Sequence, residues 1–84
     1  MAQNHIENKI RTLRFFKDEM TQQQLADEVG VTRQTIAAIE AGKYSPTLEL
    51  AFRIANVFET TLNEVFTYNP ELDKFKKRKS KKKK

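Results

Sequence analysis

The chain has 84 residues, of which 38% are hydrophobic and 32% are charged, which fits one small globular domain. It has no cysteine and one histidine, which excludes disulfides, thiolate metal sites and histidine clusters and predicts an intracellular protein without a metal or other cofactor. No apolar stretch approaches the roughly 20 residues that a bilayer requires, so we expect no membrane contact.

The net charge of +5 is distributed unevenly along the chain. Residues 1–73 have a net charge of −4, whereas residues 74–84 carry nine basic side chains and a net charge of +9. A run of like charges repels itself and does not fold alone. We therefore divide the chain into an N-terminal arm with the potential to form a short strand (1–7), a helical domain (8–69) and a disordered Lys-rich tail (70–84).

Capping residues and apolar spacing predict the first two helices. Asn8 opens helix 1, whose inward positions are Ile10, Leu13 and Phe16, with Met20 beyond it. Thr21 and Gln24 have the spacing of a capping box, so we expect helix 2 to begin there. Helix 2 has one apolar stripe, formed by Leu25, Ala26 and Val29.

A tight turn is predicted between helices 2 and 3. Gly30 supplies the positive φ of such a turn without a Cβ penalty. Thr32 caps helix 3, which directs Ile36 and Ile39 inward before Gly42 ends it. Two short helices joined in this way indicate either a helix-turn-helix, whose second helix enters a DNA major groove, or a plain αα-hairpin in a bundle.

The outward face of helix 3 favours the helix-turn-helix. At about 100° per residue, this face carries Arg33 and Gln34 together with three alanines: Ala37, Ala38 and Ala41. The alanines leave room for the backbone to approach base edges. Arginine pairs with guanine and glutamine with adenine, and an alanine methyl contacts a thymine methyl.

Helix 4, opened by residues 45–47, has more apolar surface than one core requires. Its apolar side chains cover roughly 220° of the circumference, and only Glu49, Arg53 and Asn56 face the remaining arc. The surplus predicts a second partner, which is either more of the same domain or another subunit.

A short helix and a strand close the domain. Thr61 and Glu64 have the spacing of a second capping box, which opens helix 5. Residues 66–68 then alternate apolar and polar side chains before Pro70, which predicts a short strand.

Three segments together resemble the phage repressor and Cro (XRE) family of helix-turn-helix regulators, especially its short single-domain prokaryotic members. They are Thr21–Ala26, Val31–Ile36 and Glu40–Leu48. The resemblance covers Asn8 to about Phe66 and implies an all-α fold, a five-helix bundle extended by a small antiparallel ribbon between residues 4–7 and the strand after helix 5. Two features depart from the family: the loop between Arg14 and Thr21 looks one residue longer, and the Lys-rich tail is not shared.

The resemblance implies a sequence-specific transcriptional regulator of the repressor type. It is expected to bind double-stranded DNA at a palindromic operator as a homodimer in the cytoplasm, at the nucleoid. The positions that it assigns to DNA contact are Gln22, Gln23, Thr32, Arg33, Gln34, Thr35, Ala38, Lys43 and Tyr44. Arg33 and Gln34 are expected to read bases, and Gln22 and Lys43 to contact phosphates, with Ser45 beside them. No catalytic residue and no small-molecule effector is expected.

Glu40 and the dimer interface complete the predicted site. A carboxylate on a DNA-reading helix repels phosphates, so we expect Glu40 to point inward. Similar proteins pair it with the residue at the position of Arg14; the alternative is an exposed, unpaired Glu40. The expected dimer interface consists of Leu50, Val57, Phe66 and Tyr68.

Other functions stay open at this point. A protein-binding module, such as a transcriptional coactivator or an antitoxin, would have an acidic or apolar face on helix 3. An RNA- or ribosome-associated protein would derive its preference from the tail rather than from residues 22–45. An enzyme is least expected, because the sequence has no paired carboxylates, nucleophile–base pair or phosphate loop.

The tail is either an electrostatic accessory for DNA binding or a solubilising extension.

Overall fold

The computed structural model describes residues 5–73 and contains five helices and a two-stranded antiparallel sheet. The elements are β1 (Ile6–Asn8), α1 (Ile10–Phe16), α2 (Gln22–Val29), α3 (Arg33–Glu40), α4 (Leu48–Val57), α5 (Leu62–Val65), β2 (Phe66–Tyr68) and a 3-10 turn (Pro70–Leu72). The predicted five-helix bundle with a small ribbon is confirmed. Residues 74–84, most of the predicted tail, lie outside the described residues. In the described part, no helix is long and apolar enough to cross a bilayer.

All five helices contribute side chains to one core. Its buried members are Ile10, Leu25, Ala26, Val29, Ile36, Ile39, Leu50, Ile54, Ala55 and Val65. The inward positions predicted for α2 and α3 are confirmed, because their apolar stripes face this core. Full burial of one such branched aliphatic side chain contributes about 1.5–3 kcal/mol.

Threonine caps fix the start of four helices, as the sequence predicts. Each hydroxyl accepts a hydrogen bond from the backbone N–H three residues later, and the four are Thr21, Thr32, Thr47 and Thr61. At α2 the box is complete, because Gln24 Oε1 also accepts from the Thr21 N–H at 2.8 Å. At α5 the structure shows the hydroxyl half of the box, at 3.3 Å.

Helix α1 differs from the prediction at both ends. It begins at Ile10 rather than at Asn8, whose Oδ1 accepts from the Ile10 N–H at 3.1 Å while its Nδ2 donates to the Ile39 carbonyl at 3.0 Å. The inward assignment of Phe16 is wrong, since this side chain is 76% exposed. Positions three apart rotate by about 60° around a helix, so two such steps from Ile10 turn Phe16 away from the core.

The longer loop after α1 contains two consecutive non-glycine residues in the left-handed region. Asp18 and Glu19 have φ angles of 54° and 52°. The loop is closed by the Met20 N–H, which donates to the Arg14 carbonyl at 2.9 Å. The half-buried Met20 thereby returns the chain to the core before α2 begins.

The two strands join the ends of the domain. Ile6 pairs with Tyr68 and Asn8 with Phe66, so β1 lies one to two residues later than the predicted segment 4–7. Order also continues past residue 69, because the 3-10 turn follows β2 and the Tyr68 hydroxyl donates to Asp73 Oδ2 at 2.6 Å. This hydrogen bond to a carboxylate raises the pKa of Tyr68 above its usual range.

Candidate nucleic-acid interface

The turn between α2 and α3 fixes the relative position of the two helices. Gly30 has a φ of 81°, and its N–H donates to the Ala26 carbonyl at 2.8 Å. The N–H of Val31 donates to the same carbonyl at 3.1 Å, so two hydrogen bonds close the turn. Ala26 is fully buried, and its small side chain lets α2 pack closely against its neighbours.

Helix α3 has one buried and one exposed face. Ile36 and Ile39 are buried, whereas Arg33 and Gln34 are exposed on the first turn. The alanines on this face are small enough to leave the backbone accessible: Ala37 and Ala38 in the helix are half-buried, and Ala41, which follows its last residue, is exposed. The exposed face therefore offers hydrogen-bonding side chains next to a surface without bulk.

Two threonine hydroxyls lie at the start of α3. Thr32 Oγ1 accepts from the Thr35 N–H at 3.2 Å, and the two hydroxyl oxygens are 3.0 Å apart. Thr32 is exposed and Thr35 is half-buried. Both hydroxyls are thus held at the same end of the helix as Arg33.

Neighbouring glutamines at the start of α2 have different surroundings. Gln22 is half-buried, and its Nε2 donates to Glu40 Oε1 at 3.2 Å. Gln23 is exposed, and its Nε2 donates to Asp27 Oδ1 at 2.9 Å on the same helix. Gln22 is therefore held against α3, whereas Gln23 is directed along α2.

The loop after α3 exposes the remaining predicted contacts. Gly42 has a φ of 77°, and the Lys43 N–H donates to the Ala38 carbonyl at 2.9 Å. Lys43, Tyr44 and Ser45 are exposed. Between Thr32 and Leu48 the sequence has a single carboxylate, Glu40, so this part of the surface has little negative charge to repel a phosphate.

Arg14 and Glu40 form a bidentate ion pair. Arg14 Nε donates to Glu40 Oε2 at 2.7 Å and Nη2 donates to Oε1 at 3.0 Å, and their side chains are 15% and 10% exposed. Arg14 Nη1 also donates to the Met20 carbonyl at 2.8 Å. The pair connects α1 to the end of α3 and neutralises the carboxylate.

The four residues predicted for the dimer interface differ in how much of their surface is exposed in the single chain. Leu50 is 6% exposed and belongs to the core, so it has little surface to offer a second subunit. Val57 and Phe66 are half-buried, and Tyr68 is exposed. The exposed apolar residues of α4 are instead Leu48 and Phe52, which are 66% and 54% exposed and lie one turn apart. The width of the apolar arc of α4 predicted that the core would not cover all of it. It did not predict which apolar side chains would be buried and which would stay exposed.

Two contacts of this region have no signal in the sequence. The hydrogen bond from Gln22 to Glu40 depends on how α2 packs against α3, and the bond from Arg14 to the Met20 carbonyl depends on the path of the loop after α1. Among residues 5–73, no three His, Cys, Asp or Glu side chains form a group that could hold a metal ion.

The sequence matches known helix-turn-helix proteins over most of its length. A model of the helix-turn-helix family matches residues 10–65. An uncharacterized HTH-type transcriptional regulator of Methanocaldococcus jannaschii is 44% identical over 66 residues, which cover 79% of this chain and 98% of that protein. YgzD of Bacillus subtilis, also described as an uncharacterized HTH-type transcriptional regulator, is 42% identical over 66 residues, with coverage of 79% and 98%.

A solved structure has the same fold. The crystal structure of a candidate DNA-binding protein from Bacteroides fragilis aligns with a TM-score of 0.64 at 19% identity, over 74% of this chain and 98% of that protein. At this identity the likeness concerns the arrangement of helices alone.

Proposed function

Since the chain belongs to the helix-turn-helix family of transcriptional regulators, we propose that it regulates transcription by binding a specific DNA sequence through α3. Proteins of this family bind DNA and are not enzymes, so the activity is an equilibrium between free and bound operator. Occupancy of an operator that overlaps a promoter excludes polymerase, which makes the protein a repressor. It acts where the chromosome is, in the cytoplasm at the nucleoid.

The exposed first turn of α3 is the observation that carries this proposal. Arg33 and Gln34 are exposed there, while the opposite face is anchored in the core by Ile36 and Ile39. Arginine reads guanine and glutamine reads adenine through paired hydrogen bonds in the major groove. Ala38, one turn further along, is small enough to approach a thymine methyl.

Polar residues around this turn supply the contacts that set affinity and register. Contacts to phosphates position a protein on the duplex, whereas contacts to base edges specify the sequence. We assign to the phosphates the polar side chains at the ends of α2 and α3: Gln22, Gln23, Thr32, Thr35, Lys43 and Tyr44. All but Lys43 are uncharged, so the loss of any one of the uncharged side chains changes affinity more than it changes salt dependence.

Selection of bound sites from random duplex DNA, followed by titration of variants, tests the assignment. Arg33→Ala and Gln34→Ala are expected to lose about 1–3 kcal/mol on the selected site and to relax preference at particular base pairs. Lys43→Ala is expected to weaken all duplexes alike. Lys17→Ala is the matched control, because Lys17 lines a groove with Glu28 and Asn56 on the α2–α4 side. Equal losses on selected and scrambled DNA for Arg33→Ala would show that α3 does not read bases.

We further propose that the protein binds a palindromic operator as a homodimer through the exposed face of α4. A twofold contact uses the same surface on both subunits. Antiparallel packing of two α4 helices buries Leu48 and Phe52, which are exposed in the single chain. It also sets Glu49 of one subunit near Arg53 of the other. Within one chain these two side chains already form an ion pair at 2.9 Å, so their opposite charges do not repel across the contact. In such dimers the two recognition helices lie about 34–36 Å apart, one turn of DNA.

Light scattering of Phe52→Glu tests the dimer. At a twofold contact the new carboxylate of one subunit is buried against the same carboxylate of the other, so we expect the variant to be a monomer. It is expected to bind a single half-site as the wild type does, and to bind the full palindrome no more tightly than a half-site. Thr12→Glu, an exposed position on α1, adds the same charge and is expected to stay dimeric. A wild-type protein that is monomeric at micromolar concentration, with and without DNA, would contradict the homodimer.

A further inference from the structure

Glu40 is the acceptor for side chains from two other helices. Its Oε1 accepts from Arg14 Nη2 at 3.0 Å and from Gln22 Nε2 at 3.2 Å, and its Oε2 accepts from Arg14 Nε at 2.7 Å. Donors from α1 and α2 therefore meet at one carboxylate in the last turn of α3.

The charge of Glu40 does not explain its presence beside a DNA-contacting surface. A carboxylate repels phosphates, and the bidentate contact with Arg14 cancels that charge rather than supplying a positive one. The geometry gives a different reason. The side-chain amide of Gln22 has two N–H groups, and the contact with Glu40 uses one of them. This bond restricts rotation of the amide group, and so restricts the directions that its second N–H and its oxygen can take.

We propose that Glu40 is a positioning residue for DNA binding, which acts by holding the amide of Gln22 in the orientation that donates to a backbone phosphate. This inference rests on the proposed DNA interface, in which Gln22 contacts a phosphate. A side chain that is already ordered loses less conformational freedom when it binds. Arg14 neutralises the carboxylate, so that Glu40 orients the Gln22 amide without repelling the phosphate.

The other glutamines of this surface provide internal comparisons. The amide of Gln23 is bonded to Asp27 on its own helix, so it has no link to α3. Gln34 is exposed, and the described structure shows no hydrogen bond to its side chain. Of these three glutamines, only Gln22 has a side chain that is hydrogen-bonded to a side chain of α3.

Substitution of Glu40 separates a positioning role from an effect of charge, because the two predict opposite changes in DNA affinity. Removal of a negative charge alone strengthens DNA binding, as we expect for Glu28→Ala, an exposed control with the same change of charge. Loss of positioning weakens it, and for Glu40→Ala we expect a Kd about three to ten times higher, the range for one hydrogen bond. Circular dichroism at the assay temperature establishes that each variant is folded. Tighter binding by Glu40→Ala would overturn the inference.

A double-mutant cycle tests whether Glu40 acts through Gln22. In a Gln22→Ala background, Glu40→Ala is expected to weaken binding no further. For Gln22→Ala alone, the slope of log Kd against log salt is expected to match that of the wild type, because the lost donor is neutral. An undiminished effect in that background would mean that Glu40 merely supports the fold of α3, and would overturn the inference. If Gln22→Ala alone does not weaken binding, the assignment of Gln22 to a phosphate fails instead. The two failures are thus distinguishable.

NMR of the unmodified, full-length protein provides a test that needs no variant. We expect the side-chain amide of Gln22 to be rigid on the picosecond-to-nanosecond timescale in free protein, and that of Gln34 to be mobile. Addition of the selected operator is expected to leave the order of the Gln22 amide unchanged while shifting its resonances. Equal mobility of the two amides in free protein would contradict positioning by Glu40.

Discussion

Replacement of Gly30 by alanine is expected to destabilise the domain by about 1–2 kcal/mol, and the whole loss comes from the backbone. Gly30 ends α2 with a φ of 81°, in a region where a Cβ is strained. A Cβ built at this position has Arg53 Nη1 as its neighbour at 3.9 Å, which is an ordinary van der Waals distance. Steric overlap with the rest of the domain therefore adds nothing to the strain in φ.

Thermal and urea denaturation, followed by helical circular dichroism, measures this loss. In a domain of this size each kcal/mol lowers the melting temperature by about 4–8 °C, so we expect Gly30→Ala to melt about 4–16 °C lower. Gly30→Asn is the matched control, because asparagine tolerates the left-handed region. We expect it to lose less than half as much.

Two results would refute strain in φ as the cause. One is an equal loss for alanine and asparagine. The other is a loss well above about 3 kcal/mol, which would require a steric clash that the 3.9 Å separation excludes. The converse change provides a check of opposite sign. Glu59 has a φ of 54°, so Glu59→Gly relieves strain and is expected to stabilise the domain by about 0–1.5 kcal/mol after the added freedom of the unfolded chain is counted.

Three further outcomes are expected. Ile36→Ala should cost about 2–5 kcal/mol in urea denaturation, and a loss below about 1 kcal/mol would contradict its full burial. Deletion of residues 74–84 should weaken binding to every duplex and flatten the salt dependence without changing the preferred sequence, whereas an unaltered slope would leave only a solubilising role. Asp73→Asn should lower the pKa of Tyr68, measured by tyrosinate absorbance in a Tyr44→Phe background; an unchanged pKa would exclude Asp73 as its cause. Because the pKa is raised in the folded state, the stability that this hydrogen bond contributes is present below the unfolded pKa, near 10, and is lost as the pH rises through the folded value.

Local signals predicted the helices and the turn. A threonine cap and the glycine at the turn act on their own neighbours, so Thr21, Thr32 and Gly30 could be assigned from residues within four positions of each. The strand at 66–68 was also predictable from its alternation, and its pairing with the N-terminal segment followed from the family resemblance. Its register did not, because three-residue strands have too few side chains to specify one.

Properties that depend on packing between helices could not be predicted from the sequence. Phe16 continues the apolar spacing of α1, but its exposure depends on where α1 ends relative to the core. The apolar arc of α4 includes both Leu50 and Leu48, and only the positions of the neighbouring helices decide that the first is buried. The link from Gln22 to Glu40 joins residues 18 apart in the sequence through side-chain geometry alone.

The ribbon has a consequence for the order in which the domain assembles during synthesis. Helices α2, α3 and α4 lie within residues 22–57, and α2 contacts both of the others. These contacts span shorter stretches of chain than the ribbon does, and such contacts form more quickly. Ile6, by contrast, pairs with Tyr68, about 60 residues later, so β1 has no partner until β2 has left the ribosome. We therefore expect β1, which is translated before the helices, to be among the last elements of the domain to become ordered. A nascent chain that stops before Phe66 would carry the helix-turn-helix while its N-terminal strand still lacks a partner.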